Sequence, residues 1–134
     1  MAKKSECYVD TSAFIGFLDR SDSYHPRFRQ LFSAPPRLVT SALVIAEGHG
    51  WFLRRYDQRR AIEYLALAGV LPDLNIVPFD GRGLQLASDV KKKYADQKLT
   101  LADSHGLAII QELRIVNCWS TDRHLGLNGA ELVV

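Results

Sequence analysis

Cysteine is scarce. Cys7 and Cys118 are the only two, they form no CxxC pair, and each sits in a short apolar run. This excludes a CxxC metal or redox motif and predicts two buried thiols behaving as small hydrophobes. Long hydrophobic runs are missing too, since nothing approaches the ~18 to 20 apolar residues of a membrane span. The opening Met-Ala-Lys-Lys-Ser-Glu-Cys meets Asp10 too soon to serve as a secretory h-region. The expectation is a soluble cytoplasmic protein with no membrane partner. No charge sign dominates, with 17 basic against 15 acidic residues and a net charge of +2, so the total alone names no partner. Internal repeats and low-complexity segments are also absent, which excludes solenoids and argues against disorder.

What is present is 134 residues, 47% of them hydrophobic and 24% charged, the make-up of one domain spanning residues 1–134. Such a chain buries roughly two-thirds of its unfolded surface and needs no metal or disulfide staple. Short β-prone runs at residues 7–9, 38–40, 75–79 and 115–119 read as strands, with a fifth at 131–134. Between them the patterning predicts helices over residues 13–18, 26–32, 42–56, 58–68, 83–94 and 101–114. Ser41 and Thr100 serve as caps, and the three lysines at 91–93 suit a helix C-terminus. Strands alternating with helices, each strand apolar throughout, predict an α/β fold: a parallel sheet of four to five strands covered on both faces. In such sheets ligands sit beyond the carboxyl ends of the strands.

Four acids belong to that rim or face it. Asp10 closes the first strand and Asp122 follows the fourth; singly, either is equally readable as a turn or capping residue. Glu47 has Leu43, Val44 and Trp51 at i−4, i−3 and i+4, and Asp103 has Leu107 and Ile110 at i+4 and i+7. Both therefore read as carboxylates pointed inward from apolar stripes. The competing readings are a buried salt bridge to a nearby arginine for Glu47 and a Thr100-x-x-Asp103 capping box for Asp103. Gly50 and Gly106, each three residues on, read as room for an ion or a close backbone. Two carboxylates ~5 Å apart repel by about 3 kcal/mol at an effective dielectric of ~20, so convergence demands retained protons or a cation. All-oxygen ligation favours Mg²⁺, with Mn²⁺ as the alternative.

The segments Tyr8-Val9-Asp10-Thr11-Ser12-Ala13-Phe14, Ile45-Ala46-Glu47, Leu99-Thr100-Leu101-Ala102-Asp103 and Ser120-Thr121-Asp122-Arg123-His124 resemble the PIN-domain family over nearly the whole chain. Length and single-domain build look most like the VapC-type ribonuclease toxins of toxin–antitoxin pairs. The resemblance implies an α/β/α sandwich and Mg²⁺-dependent cleavage of RNA, with a small antitoxin protein and a homodimer as expected partners. It places Asp10, Glu47, Asp103 and Asp122 in the acidic quartet as catalytic and metal-holding residues, with Ser12 and Thr121 as the accompanying hydroxyls. Two alternatives stand beside the toxin: a PIN nuclease of RNA processing, and a non-catalytic RNA- or protein-binding module on the same scaffold. A phospho-aspartate phosphatase is disfavoured because Ser12 stands where its second acid belongs.

His49, His105 and His124 follow three of the acids at i+2. On a helix that offset turns a side chain about 200° away, so His49 and His105 should share no metal with Glu47 and Asp103. His124, near a loop, is within reach of the pocket but reads as a structural or surface residue, and a zinc hydrolase is disfavoured. Arg123, beside Asp122, is the best placed contact for an RNA phosphate. Arg54 and Arg55 belong to a basic helical corner that reads as a solvated face or, alternatively, as an RNA track. Trp51, Trp119, Phe14 and Phe17 read as core, with Phe14, Phe17 and Tyr24 as the alternative partner surface.

Overall fold

A computed structural model describes residues 6–134. Five strands, β1 (Glu6–Val9), β2 (Arg37–Ser41), β3 (Leu74–Val77), β4 (Asn117–Trp119) and β5 (Glu131–Leu132), form one sheet in the order β3-β2-β1-β4-β5. Every neighbouring pair is parallel, with Tyr8 beside Val39 on one flank and Cys118 on the other. Six helices connect and cover the strands: α1 (Thr11–Leu18), α2 (His25–Ser33), α3 (Ala42–Arg55), α4 (Gln58–Val70), α5 (Gly81–Lys93) and α6 (Leu101–Glu112). The expected α/β class and parallel sheet are observed. Among the described residues, no helix is long and apolar enough to cross a membrane.

The apolar strand runs arise because both sheet faces are covered. Period-2 alternation sends Cys7 and Val9 to one side, where Phe14, Phe28, Phe32, Val44, Phe52 and Trp119 complete a core under α1 to α4. Tyr8, Val39 and Cys118 face the other side, against Ile109 and Ile110 of α6. Both thiols are free and buried, as expected.

Element limits shift at the punctuation. The third strand stops at Val77 because Pro78 cannot donate to a ladder. The fourth starts only at Asn117, leaving Val116 exposed and Ile115 packed in the core. A 3₁₀ turn at Arg123–Gly126, absent from the sequence reading, follows β4 and begins directly after Asp122.

The strand order reverses direction at β1, since the chain steps out to β3 on one side and resumes with β4 on the other. Loops leaving β1 and β4 consequently diverge, opening a crevice at the carboxyl ends of those two strands.

Candidate active site

Asp10 occupies the floor of that crevice. It is the N-cap of α1 by backbone position, yet its side chain makes no capping bond to the helix. Instead Asp10 Oδ2 accepts from Ser120 Oγ at 2.9 Å and Ser12 Oγ at 3.1 Å. The residue is 6% exposed. Burial, reinforced by the charges of Asp103 and Glu47 and opposed by the Ser120 and Thr11 hydrogen bonds, raises its pKa from 3.8 to about 6.

Asp103 arrives on the first turn of α6. Thr100 Oγ1 accepts the Asp103 N–H and Asp103 Oδ2 accepts the Thr100 N–H, both at 3.0 Å, so the expected capping box forms. It occupies one carboxylate oxygen. Burial, followed by the charge of Asp122, raises this carboxyl above its ordinary value even though Thr100 donates to it.

Asp122 caps the 3₁₀ turn by accepting the His124 N–H at 3.0 Å, while its own N–H donates to Ser120 Oγ at 2.9 Å. His124 Nδ1 lies 3.2 Å from Asp122 Oδ1. Ligand atoms of Asp103, Asp122 and His124 fall within 4.8 Å of one another. The structure thus brings His124 into the acidic centre, contrary to the expectation of a structural or surface histidine. The unforeseen 3₁₀ turn folds it back beside Asp122.

Glu47 departs from the sequence reading in another way. It is exposed, because the buried line of α3 is Val44, Gly48 and Phe52, and Glu47 stands one residue off that line with half-buried Leu43 and Trp51 as border neighbours. Its charge still reaches the crevice, acting on Asp10, Tyr8 and Tyr64. The salt-bridge reading fails, since no ion pair among the described residues engages Glu47, Asp10 or Asp103. Glu47 and Asp10 also lie outside the 4.8 Å cluster.

The hydroxyl assignment needs one correction. Ser12 does donate to Asp10, but Thr121 is exposed and contributes only its backbone N–H, to Ser12 Oγ at 3.0 Å. The second hydroxyl is Ser120, fully buried and shared between Asp10 and the Asp122 N–H. Strand alternation held the signal: continuing the Tyr8–Cys118 pairing by two residues sets Ser120 beside Asp10 on one face.

The glycines also serve otherwise than expected. A Cβ on Gly106 would come within 2.7 Å of Tyr8 Oη, so this position admits the Tyr8 ring and not an ion. That phenol is fully buried without a hydrogen-bond partner, and burial plus the nearby carboxylates hold it protonated. Gly50 faces the side chain of Arg54. Arg54 and Arg55 are exposed on the last turn of α3, about 10 Å along the axis from Glu47, and do not line the crevice. Arg60 lies over the Tyr56 ring at 4.6 Å, so the corner is partly consumed in its own packing. Arg123 is exposed at the crevice mouth, immediately after Asp122. Phe14 is core, Phe17 packs on Phe32, and Tyr24 is exposed.

A hard divalent cation fits this donor set. Two carboxylates and an imidazole converge beside the buried Asp10, and no lysine or arginine among the described residues pairs with Asp10, Glu47 or Asp103. Buried negative charge without a counter-charge is costly, and the upward pKa shifts of Asp10 and Asp103 register that cost.

A family model described as PIN domain matches residues 7–126. Among solved structures, Mycobacterium tuberculosis VapC20, described as a sarcin–ricin loop cleaving toxin, superposes with a TM-score of 0.85 at 20% identity, covering 95% of this chain and 98% of its own. A toxin–antitoxin complex from Klebsiella pneumoniae gives 0.63 at 18% identity over 96% of each chain. FitAcB from Neisseria gonorrhoeae gives 0.69 at 14% identity, covering 94% of this chain and 95% of that one. At such identities the likeness is one of fold. A comparison with curated proteins finds no match.

Proposed function

The chain belongs to the PIN-domain family, and from that membership we propose that it is a Mg²⁺-dependent endoribonuclease acting in the cytoplasm as the toxin of a toxin–antitoxin pair. The observation that carries this reading is the convergence of Asp103, Asp122 and His124 within 4.8 Å, next to a buried and uncompensated Asp10. Asp10, Glu47 and Asp103 would hold Mg²⁺, or Mn²⁺ in its place, with Asp122 completing the set or orienting the attacking water. When bound, such a cation supplies Lewis acidity, making water a better nucleophile at neutral pH and stabilising charge on phosphoryl oxygens during in-line displacement.

The chain's own groups prepare that chemistry. Ser12 and Ser120 both donate to one Asp10 oxygen and fix it. The capping box does the same for Asp103. His124 steadies Asp122 from the solvent side. Arg123 is placed to meet a flanking phosphate of an RNA strand, so binding weakens with salt. Arg54 and Arg55 lie too far along α3 to touch the scissile phosphate and would serve only a distal stretch of RNA. Exposed Ile62, Leu65 and Val70 along α4 offer apolar surface for a protein partner, whether a small antitoxin or a second copy of the chain in a homodimer.

The test is cleavage of RNA by purified protein with and without Mg²⁺. Asp103→Asn is expected to lose at least about a hundredfold in rate while remaining folded, as loss of an electrostatic group in a catalytic centre does. Undiminished cleavage by Asp103→Asn overturns the assignment. Growth arrest on expression, relieved by a small protein encoded alongside, separates the toxin from a nuclease of RNA processing.

A further inference from the structure

On the side of α6 turned away from Asp103, a cavity of about 290 Å³ lies between the end of β3, the first turns of α5 and α6 itself. Val77, Leu86, Ala108 and Ile109 form apolar walls, and the volume suits a flat group the size of a nucleobase. His105 lines it and is 2% exposed. The ring is held by an edge-on contact with Phe79 at 5.0 Å between centroids, and its Nδ1 lies 2.6 Å from Ser41 Oγ. Ser41 Oγ already accepts the Leu43 N–H at 3.0 Å and meets no other acceptor among the described residues. The Ser41 proton therefore goes to Nδ1, which leaves the imidazole proton on Nε2. Among the described residues Nε2 carries no hydrogen bond, and it stands beside Gly83, where a Cβ would approach it to 3.1 Å. An imidazole N–H at the wall of a cavity, with no acceptor among the described residues, can meet the acceptor of an occupant.

The mouth is set by charge. Asp80 and Glu112 line it, with Arg82 Nη2 2.8 Å from Glu112 Oε1. Two carboxylates against one guanidinium leave the mouth net negative, which favours a neutral group over a phosphate. We propose that this cavity binds a guanine base. Guanine offers adjacent N1–H and N2–H donors that fit a carboxylate such as Glu112 bidentately, and O6 and N7 acceptors for the His105 N–H and Arg82. Adenine sets a ring acceptor where the carboxylate needs a donor and is rejected. The base comes either from the substrate RNA or from a free guanosine nucleotide. The cavity adjoins the helices that carry the acids, since Ser41 caps α3, which holds Glu47, and His105 lies two residues after Asp103 on α6.

The experiment is a calorimetric titration of the whole chain with guanosine 5′-monophosphate and, separately, adenosine 5′-monophosphate, in Mg²⁺-free buffer. Guanosine monophosphate is expected to bind at least about tenfold more tightly than adenosine monophosphate. Glu112→Gln is expected to weaken it by a similar factor, and Ala108→Leu, which fills the cavity, to abolish it. Equal affinities, no binding of either nucleotide, or an unchanged affinity in Glu112→Gln overturns the proposal; that last variant decides the matter if Ala108→Leu does not fold. The source is read from cleavage of oligoribonucleotides. Dependence on one guanine position, lost in Glu112→Gln, assigns the base to substrate. A changed rate on a guanine-free strand after adding guanosine monophosphate assigns the free nucleotide. Only this second arm rests on the nuclease reading, so selective guanine binding without any cleavage defeats that reading and leaves the cavity assignment standing.

Discussion

At the scale of single residues, Asp10 carries the clearest energetic signature. Its carboxyl binds a proton more tightly in the folded chain, about 6 against 3.8, chiefly through burial. The resulting contribution to stability is fully present below pH 3.8 and is lost as pH rises through about 6. At neutral pH the native fold then carries a penalty of roughly 3 kcal/mol in the absence of metal. In Mg²⁺-free buffer the melting midpoint of Asp10→Asn should rise relative to the parent's as pH goes from about 4 to about 7, so that the variant melts higher at neutral pH. A neutral-pH midpoint for Asp10→Asn at or below the parent's contradicts this account. Asp10 was legible because it ends a strand. The family resemblance points to Thr121, and only the strand register, which sets Ser120 beside Asp10, assigns the hydroxyl to Ser120.

Among elements, the pairing of α3 with α4 shows how packing rather than propensity chose a residue. Gly48 lies on the buried line of α3, and a Cβ there would overlap the ring of Tyr64, whose hydroxyl donates to the Val44 carbonyl at 2.7 Å. Gly48→Ala is therefore expected to cost about 1–3 kcal/mol despite alanine's higher helix propensity. The loss should be smaller in a Tyr64→Leu background, as read from urea denaturation midpoints of the four proteins in the cycle. A stabilising Gly48→Ala would show that α3 and α4 are less closely held than described. The start of α6 was readable from Thr100 and Asp103 alone, because a capping box is local chemistry. The exposure of Glu47 is not readable in the same way, since its apolar neighbours mark the border of the α3 stripe and the stripe's centre depends on where Tyr64 lands.

For the molecule as a whole, the strand order β3-β2-β1-β4-β5 gathers residues far apart in the chain: Asp10 from β1, Glu47 from α3, Asp103 from α6 and Asp122 after β4. Setting those four acids aside leaves 17 basic against 11 acidic residues over the rest of the chain, a balance suited to a polyanionic partner. A cation that binds only the folded state must raise the melting midpoint. Millimolar Mg²⁺ is expected to do so in calorimetric scans of the parent chain, with most of the rise abolished in Asp103→Asn. A midpoint indifferent to Mg²⁺ and Mn²⁺ alike argues for a non-catalytic module.

The chain order of strands and helices, the capping of α6 and the placing of Asp10 and Asp122 after strands follow from sequence alone, because periodicity, turn chemistry and capping act over a few residues. Which acids meet, that His124 joins Asp103 and Asp122, that Ser120 supplies the buried hydroxyl, and that His105 faces a cavity were settled by tertiary structure. Those relations depend on strand register, a 3₁₀ turn and the seating of one helix on another, contacts between positions up to 110 residues apart.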